Sequence, residues 1–130
     1  MQQYHESNSR KKVSSGTGGM RRKNRDKKLS HVGGVPTLTK VATKSVIDQL
    51  RTRGGSDKAK LKRAAFANVR DKTGKIVKTK ILSVAHSAIQ DYIRANIITK
   101  GCVLNTELGE VIVTNRVGQD AVVNGVLKTK

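Results

Sequence analysis

The chain has 130 residues, of which 35% are apolar, and its 27 lysines and arginines against 9 acidic residues give a formal net charge of +18. That length allows one domain and an arm, and no stretch approaches the roughly 18 consecutive apolar residues that a membrane-spanning helix needs. The charge is one-sided: residues 1–80 hold 22 basic and 5 acidic side chains, residues 81–130 hold 5 and 4, so an external polyanion, in practice a nucleic acid, is expected to offset the repulsion.

Residues 1–40 read as an extended basic arm. Their apolar residues recur with neither helical nor strand period, and glycines cluster at Gly16, Gly18, Gly19, Gly33 and Gly34 before Pro36. Such a stretch buries too little surface to offset its ordering entropy, so alone it should lack structure. The start, Met1-Gln2-Gln3-Tyr4-His5, carries no apolar run of the signal-peptide type, and export is not expected.

From residue 41 the pattern changes to strands, giving an arm over 1–40 and a domain over 41–130. Residues 41–51 are rich in Val, Ile and Thr, and Arg53-Gly54-Gly55-Ser56-Asp57 is a loop. Residues 61–70 place Leu61, Ala65, Ala67 and Val69 on one parity, and Asp71-Lys72-Thr73-Gly74-Lys75 is a hairpin signal. Residues 76–85 set Lys78 and Lys80 two apart, on one face of a strand. Residues 88–95 form the one expected helix, about two turns long. Short apolar runs at 97–99, 102–106, 111–114 and 122–127 follow, separated by Glu107-Leu108-Gly109-Glu110 and Val117-Gly118-Gln119-Asp120 turns. The expected fold is mainly β: a small six- to seven-stranded barrel with one short helix and the basic arm. Closing the sheet would remove edges that short strands otherwise expose.

No catalytic constellation is found. His5, His31 and His86 have no spacing that makes them ligands with one another or with Cys102. Glu107 and Glu110 flank Gly109 as hairpin-corner residues, and Gly16-Thr17-Gly18-Gly19-Met20 lacks the Lys-Ser/Thr of a phosphate loop. Cys102, the single cysteine, sits in an apolar run and reads as a small buried hydrophobe in a reducing compartment. The chain is expected not to be an enzyme and to need no metal, cofactor or small-molecule substrate.

The binding residues fall into three sets. The arm supplies Lys11, Lys12, Arg21, Arg22, Lys23, Arg25, Lys27 and Lys28. A loop and the strand after it supply Arg51, Arg53, Lys58, Lys60, Lys62 and Arg63. The next strand supplies Lys78 and Lys80, with Lys75 nearby. Joined through the hairpin at Gly74, the last two sets would make one charged barrel face continuous with the arm. With only Tyr4, Phe66 and Tyr92 as aromatic residues, no stacking platform can be built, so contact should be with phosphate and shape. The arginines grip phosphates bidentately and the lysines act as point charges.

Several segments resemble the archaeal and eukaryotic family of small-subunit ribosomal proteins numbered eight in that series. They are Thr17-Gly18-Gly19 with the basic run after it, Arg51-Thr52-Arg53-Gly54-Gly55, Asn96-Ile97-Ile98-Thr99-Lys100-Gly101, Thr106-Glu107-Leu108-Gly109, and Arg116-Val117-Gly118-Gln119-Asp120 with Val122-Val123-Asn124. The chain is similar to the compact archaeal form, without the mid-domain insertion of eukaryotic members. One departure is Leu29-Ser30-His31-Val32-Gly33, where members carry a Tyr-Glu-Leu-Gly-like run. The resemblance implies a structural constituent of the small ribosomal subunit in the cytoplasm. Its implied partners are rRNA and neighbouring ribosomal proteins, without membrane contact or homo-oligomerisation. Alternatives are a ribosome-assembly factor of the same fold, which would typically be longer, and a general nucleic-acid compacting protein.

Overall fold

Short runs of β-branched and small residues, punctuated by glycine turns, form nine strands in a computed structural model that describes residues 3–5, 15–19, 25, 27–52 and 54–128. The chain divides into two units, Met1–Pro36 and Thr37–Lys130. In the first unit a 3-10 turn covers Leu29–His31, and Tyr4 pairs antiparallel with Val32. The His5 N–H donates to the His31 carbonyl at 2.8 Å and the Gly33 N–H to the Gln3 carbonyl at 2.7 Å. A Cβ on Gly33 would meet the His5 ring, which would have to turn aside.

The second unit takes in residues 37–40, assigned above to the arm, because Thr39 and Lys40 are already paired in a sheet. That sheet has four strands: β1 (Thr39–Val41), β2 (Val46–Arg51), β3 (Asp57–Ala64) and β6 (Ile97–Ile98), in the order β2-β3-β1-β6. The strands β4 (Phe66–Arg70), β5 (Ile76–His86), β7 (Val103–Thr106), β8 (Gly109–Val113) and β9 (Asn124–Leu127) close into a barrel. Five strands cannot all alternate in direction around a ring, so one neighbouring pair must run parallel. That pair is β4 with β9, where the Asn68 side-chain amide donates to the Asn124 side-chain oxygen at 3.2 Å.

The fold is mainly β, as expected, with a barrel of five strands rather than six or seven and a separate sheet beside it. The difference arises at Ala65. Residues 61–70 do not form one strand; a bend at Ala65 ends β3 in the sheet and starts β4 in the barrel. Ala64 and Ala65 are both buried, which breaks the alternation a single strand would keep. The short loop between β1 and β2 wraps this exit. The Ala42 N–H donates to the Ala64 carbonyl at 2.9 Å, and the Ala65 N–H donates to Ser45 Oγ at 3.1 Å.

The expected helix over 88–95 shrinks to α1 (Gln90–Arg94), which buries no residue. A second helical turn, α2 (Val117–Asp120), occupies a stretch expected to be a simple turn, and it buries Val117. One core serves both sheets: Leu61 and Ala64 of β3 and Ile98 of β6 pack in the same cluster as Val69, Leu104, Val111 and Val113 of the barrel. A barrel's diameter grows with its strand number, so five strands leave a narrow interior, and many inward positions are Ala, Val or Gly. At Gly125 a Cβ would run into Val111 Cγ1 and lie 2.9 Å from the Ile112 carbonyl oxygen. Cys102 is buried in this core, and burial pushes its thiol pKa up, the reverse of what a reactive thiol needs.

Candidate nucleic-acid interface

The basic residues of β3 owe their position to strand alternation. Leu61 points into the core, so Lys58, Lys60 and Lys62 project from the opposite face. Asp48, the cross-strand partner of Lys60, is bonded by the Lys62 ammonium, which places Lys60 and Lys62 on one side. Lys62 is also the extra residue in a bulge where Val46 and Ile47 pair with Arg63 and Leu61. At the far end of the β2–β3 hairpin, Arg51 pairs across to Asp57. The loop there is tied by the Thr52 hydroxyl donating to the Ser56 carbonyl at 2.6 Å, and it turns through Gly55 at φ 84°.

On β5, Lys78 and Lys80 are exposed while Thr79 and Ile81 between and beside them are buried. Both lysines therefore stand on the outer wall of the barrel, as the two-residue spacing implied. Their cross-strand partners are Asn68 and Phe66, and the Lys78 ammonium lies 4.9 Å from the centre of the Phe66 ring.

The strands that carry these two sets are linked at a place the sequence did not suggest. The Gly74 hairpin lies beyond the Arg70–Ile76 pair, at the end of β4–β5 away from Lys80. The junction is instead the Ala65 bend, where the Ile81 N–H donates to the Ala65 carbonyl at 3.0 Å. Phe66, the partner of Lys80, is the third residue after Arg63, about 10 Å away along extended chain. Parallel pairing of β1 with β3 also sets Lys40 beside Arg63. Sequence reasoning missed Lys40, since no local signal reveals which distant strand will pair with it.

Electrostatics separates this region from the remainder of the second unit. Among the described residues, no carboxylate pairs with Lys40, Lys58, Lys60, Arg63, Lys78 or Lys80. Asp71 is engaged in its own turn, accepting from the Lys72 N–H at 2.7 Å. After residue 81 three of the four acids have partners. Glu110 pairs with Lys128 at 2.9 Å, Asp91 pairs with Arg94 at 3.7 Å, and Asp120 accepts from the Arg116 N–H at 3.1 Å.

Of the arm residues, Arg25 and Lys27 are exposed and Lys28 is half-buried within the first unit, with Lys27 at φ 53°. Lys11, Lys12, Arg21, Arg22 and Lys23, together with Arg53, lie outside the described residues. Among the described residues no three His, Cys, Asp or Glu side chains gather as a metal-holding group, and no helix is long and apolar enough to cross a membrane.

Comparison with known proteins adds an independent line. The family model described as Ribosomal protein S8e matches residues 6–128. The chain is 42% identical over 126 residues to the small ribosomal subunit protein eS8 of Sulfolobus acidocaldarius, covering 95% of this chain and 96% of that protein. It is 43% identical over 116 residues to the protein of the same name from Staphylothermus marinus, covering 88% and 91%. Against that of Methanocorpusculum labreanum the identity is 44% over 119 residues, covering 90% and 94%.

Proposed function

The chain belongs to the ribosomal protein S8e family, and we propose that it is a structural constituent of the small ribosomal subunit that holds rRNA through phosphate and shape contacts. It works in the cytoplasmic ribosome, supports translation and performs no catalysis. Its partners are rRNA and the ribosomal proteins beside it. The observation that carries the rRNA contact is that Lys40, Lys58, Lys60, Arg63, Lys78 and Lys80 have no carboxylate partner among the described residues. Holding such charges together is costly unless a polyanion offsets them. Lys58, Lys60 and Lys62 of β3, with Arg51 and Arg63, form one part of the contact. Lys78 and Lys80 of β5 form the other. The basic arm, from Lys11 and Lys12 through Arg21, Arg22, Lys23, Arg25, Lys27 and Lys28, adds phosphate contacts. Arg53 extends the contact at the β2–β3 tip.

The test is the salt dependence of binding to transcribed small-subunit rRNA. Replacing Lys58, Lys60 and Lys62 together by Gln should flatten the slope of log affinity against log salt by about 0.7–0.9 for each phosphate contact removed. Lys100→Gln, outside this region, should leave the slope unchanged. Equal slopes for the two variants would remove β3 from the interface.

A further inference from the structure

Beside the basic residues of β5 lies a cleft of about 390 Å³, walled by Val41 at the end of β1 and Ala42 after it, by Ala65 and Phe66 at the bend, and by Lys80 and Leu82. Its volume falls within the roughly 300–1,000 Å³ of small-ligand sites. Two of its apolar walls are held out of the core by the fold. Phe66 is 39% exposed on β4, while its neighbours Ala67 and Val69 fill the barrel interior. Leu82 is 62% exposed and is the extra residue of a bulge in which Ile81 and Ser83 pair with Thr106 and Asn105. A bulge re-aims the side chain it carries. The rim is cationic: Lys80 lines the cleft, and the Lys78 ammonium lies 4.9 Å from the Phe66 ring centre. Neither lysine has a carboxylate partner among the described residues.

An apolar slot with one aromatic wall and a positive rim matches a group that is flat and uncharged but attached to an anion. We propose that this cleft receives a single unpaired nucleobase of the bound RNA, packed against Phe66 and Leu82, with Lys78 and Lys80 holding the adjoining phosphates. The proposal rests on the RNA-binding reading above and adds to it one contact that senses an unpaired base. A lone ring cannot form a platform for successive bases, but one ring in a cleft suffices for one base.

The experiment compares an RNA hairpin carrying a single-nucleotide bulge with the same hairpin fully paired, each base being tried at the bulge. The full chain should bind the bulged RNA about 5- to 100-fold more tightly, the factor contributed by one stacked base. Phe66→Leu, which keeps apolar volume and removes the ring, should lower this ratio while leaving affinity for the paired hairpin unchanged. As a measurement that needs no variant, 4-thiouridine at the bulge should photo-cross-link to the peptide containing Phe66 or Leu82. Equal affinity of the full chain for both RNAs, or an undiminished preference in Phe66→Leu, would overturn the base site while leaving phosphate binding intact. Cross-linking confined to other peptides would also overturn it, leaving the cleft to a protein neighbour. Failure to bind either hairpin would overturn the RNA-binding reading itself, and the base site with it.

Discussion

Asn96 sits in the left-handed region at φ 50°, just past the C-terminus of α1. Its side-chain oxygen accepts from the Val84 N–H at 3.2 Å, and its carbonyl accepts from the Val41 N–H at 3.0 Å. One residue thus ends a helix and ties it to both β5 and β1. Asparagine tolerates this backbone conformation better than other residues with a Cβ. Asn96→Gly keeps the conformation and loses the side-chain bond, leaving the N–H of buried Val84 unmet, at about 1–2 kcal/mol. Asn96→Ala adds about 1 kcal/mol of backbone strain. Urea unfolding should therefore rank stability as Asn, then Gly, then Ala; an Ala variant as stable as the Gly variant would refute this role. The residues that carried the family resemblance were legible as a pattern, but their work was not. In Arg116-Val117-Gly118-Gln119-Asp120, the Asp120 carboxylate accepts from the Arg116 N–H and from the Asn115 side-chain amide at 3.1 Å. A Cβ at Gly118 would lie 3.1 Å from Thr37 Cβ. These residues hold a turn and allow a close approach; the motif is architectural.

At the scale of elements, the barrel's closure depends on the close approach of β8 to β9 at Gly125, which pairs with Val113 on one side and Val69 on the other. Gly125→Ala should destabilise the chain by about 1–3 kcal/mol through overpacking against Val111, read from the midpoint of urea unfolding. An unchanged midpoint would show that the barrel has slack there. Strand existence was legible because alternation and glycine turns are local signals. Lys78 and Lys80 stand on the outer wall just as their spacing required. Sheet membership was not legible. Residues 61–70 alternate well enough to pass for one strand, and what bends them at Ala65 is the β1–β2 loop, through Ala42 and Ser45, a contact between segments about twenty residues apart. The bulges at Lys62 and Leu82 were equally hidden, since each is defined by its partner strand.

The whole molecule is organised by charge more than by any cavity or catalytic group. The excess in residues 1–80 was readable directly from the sequence, because Coulomb repulsion among unpaired cations depends little on fold detail. How the strands of the second unit that carry cations are connected was not readable: β3 runs into β4 at the Ala65 bend, β4 pairs with β5, and β1 sets Lys40 beside Arg63. The nearly neutral remainder pairs two of its acids internally, in Glu110–Lys128 and Asp91–Arg94, and supplies most of the barrel. Such a division suits a part that is built into a ribonucleoprotein and stays there. The most direct test is sucrose-gradient fractionation of lysate from the native organism, probing for this chain after a high-salt wash. It should be stoichiometric in small subunits and translating ribosomes and should survive the wash. Recovery only in immature particles, or free of ribosomes, would contradict a structural constituent.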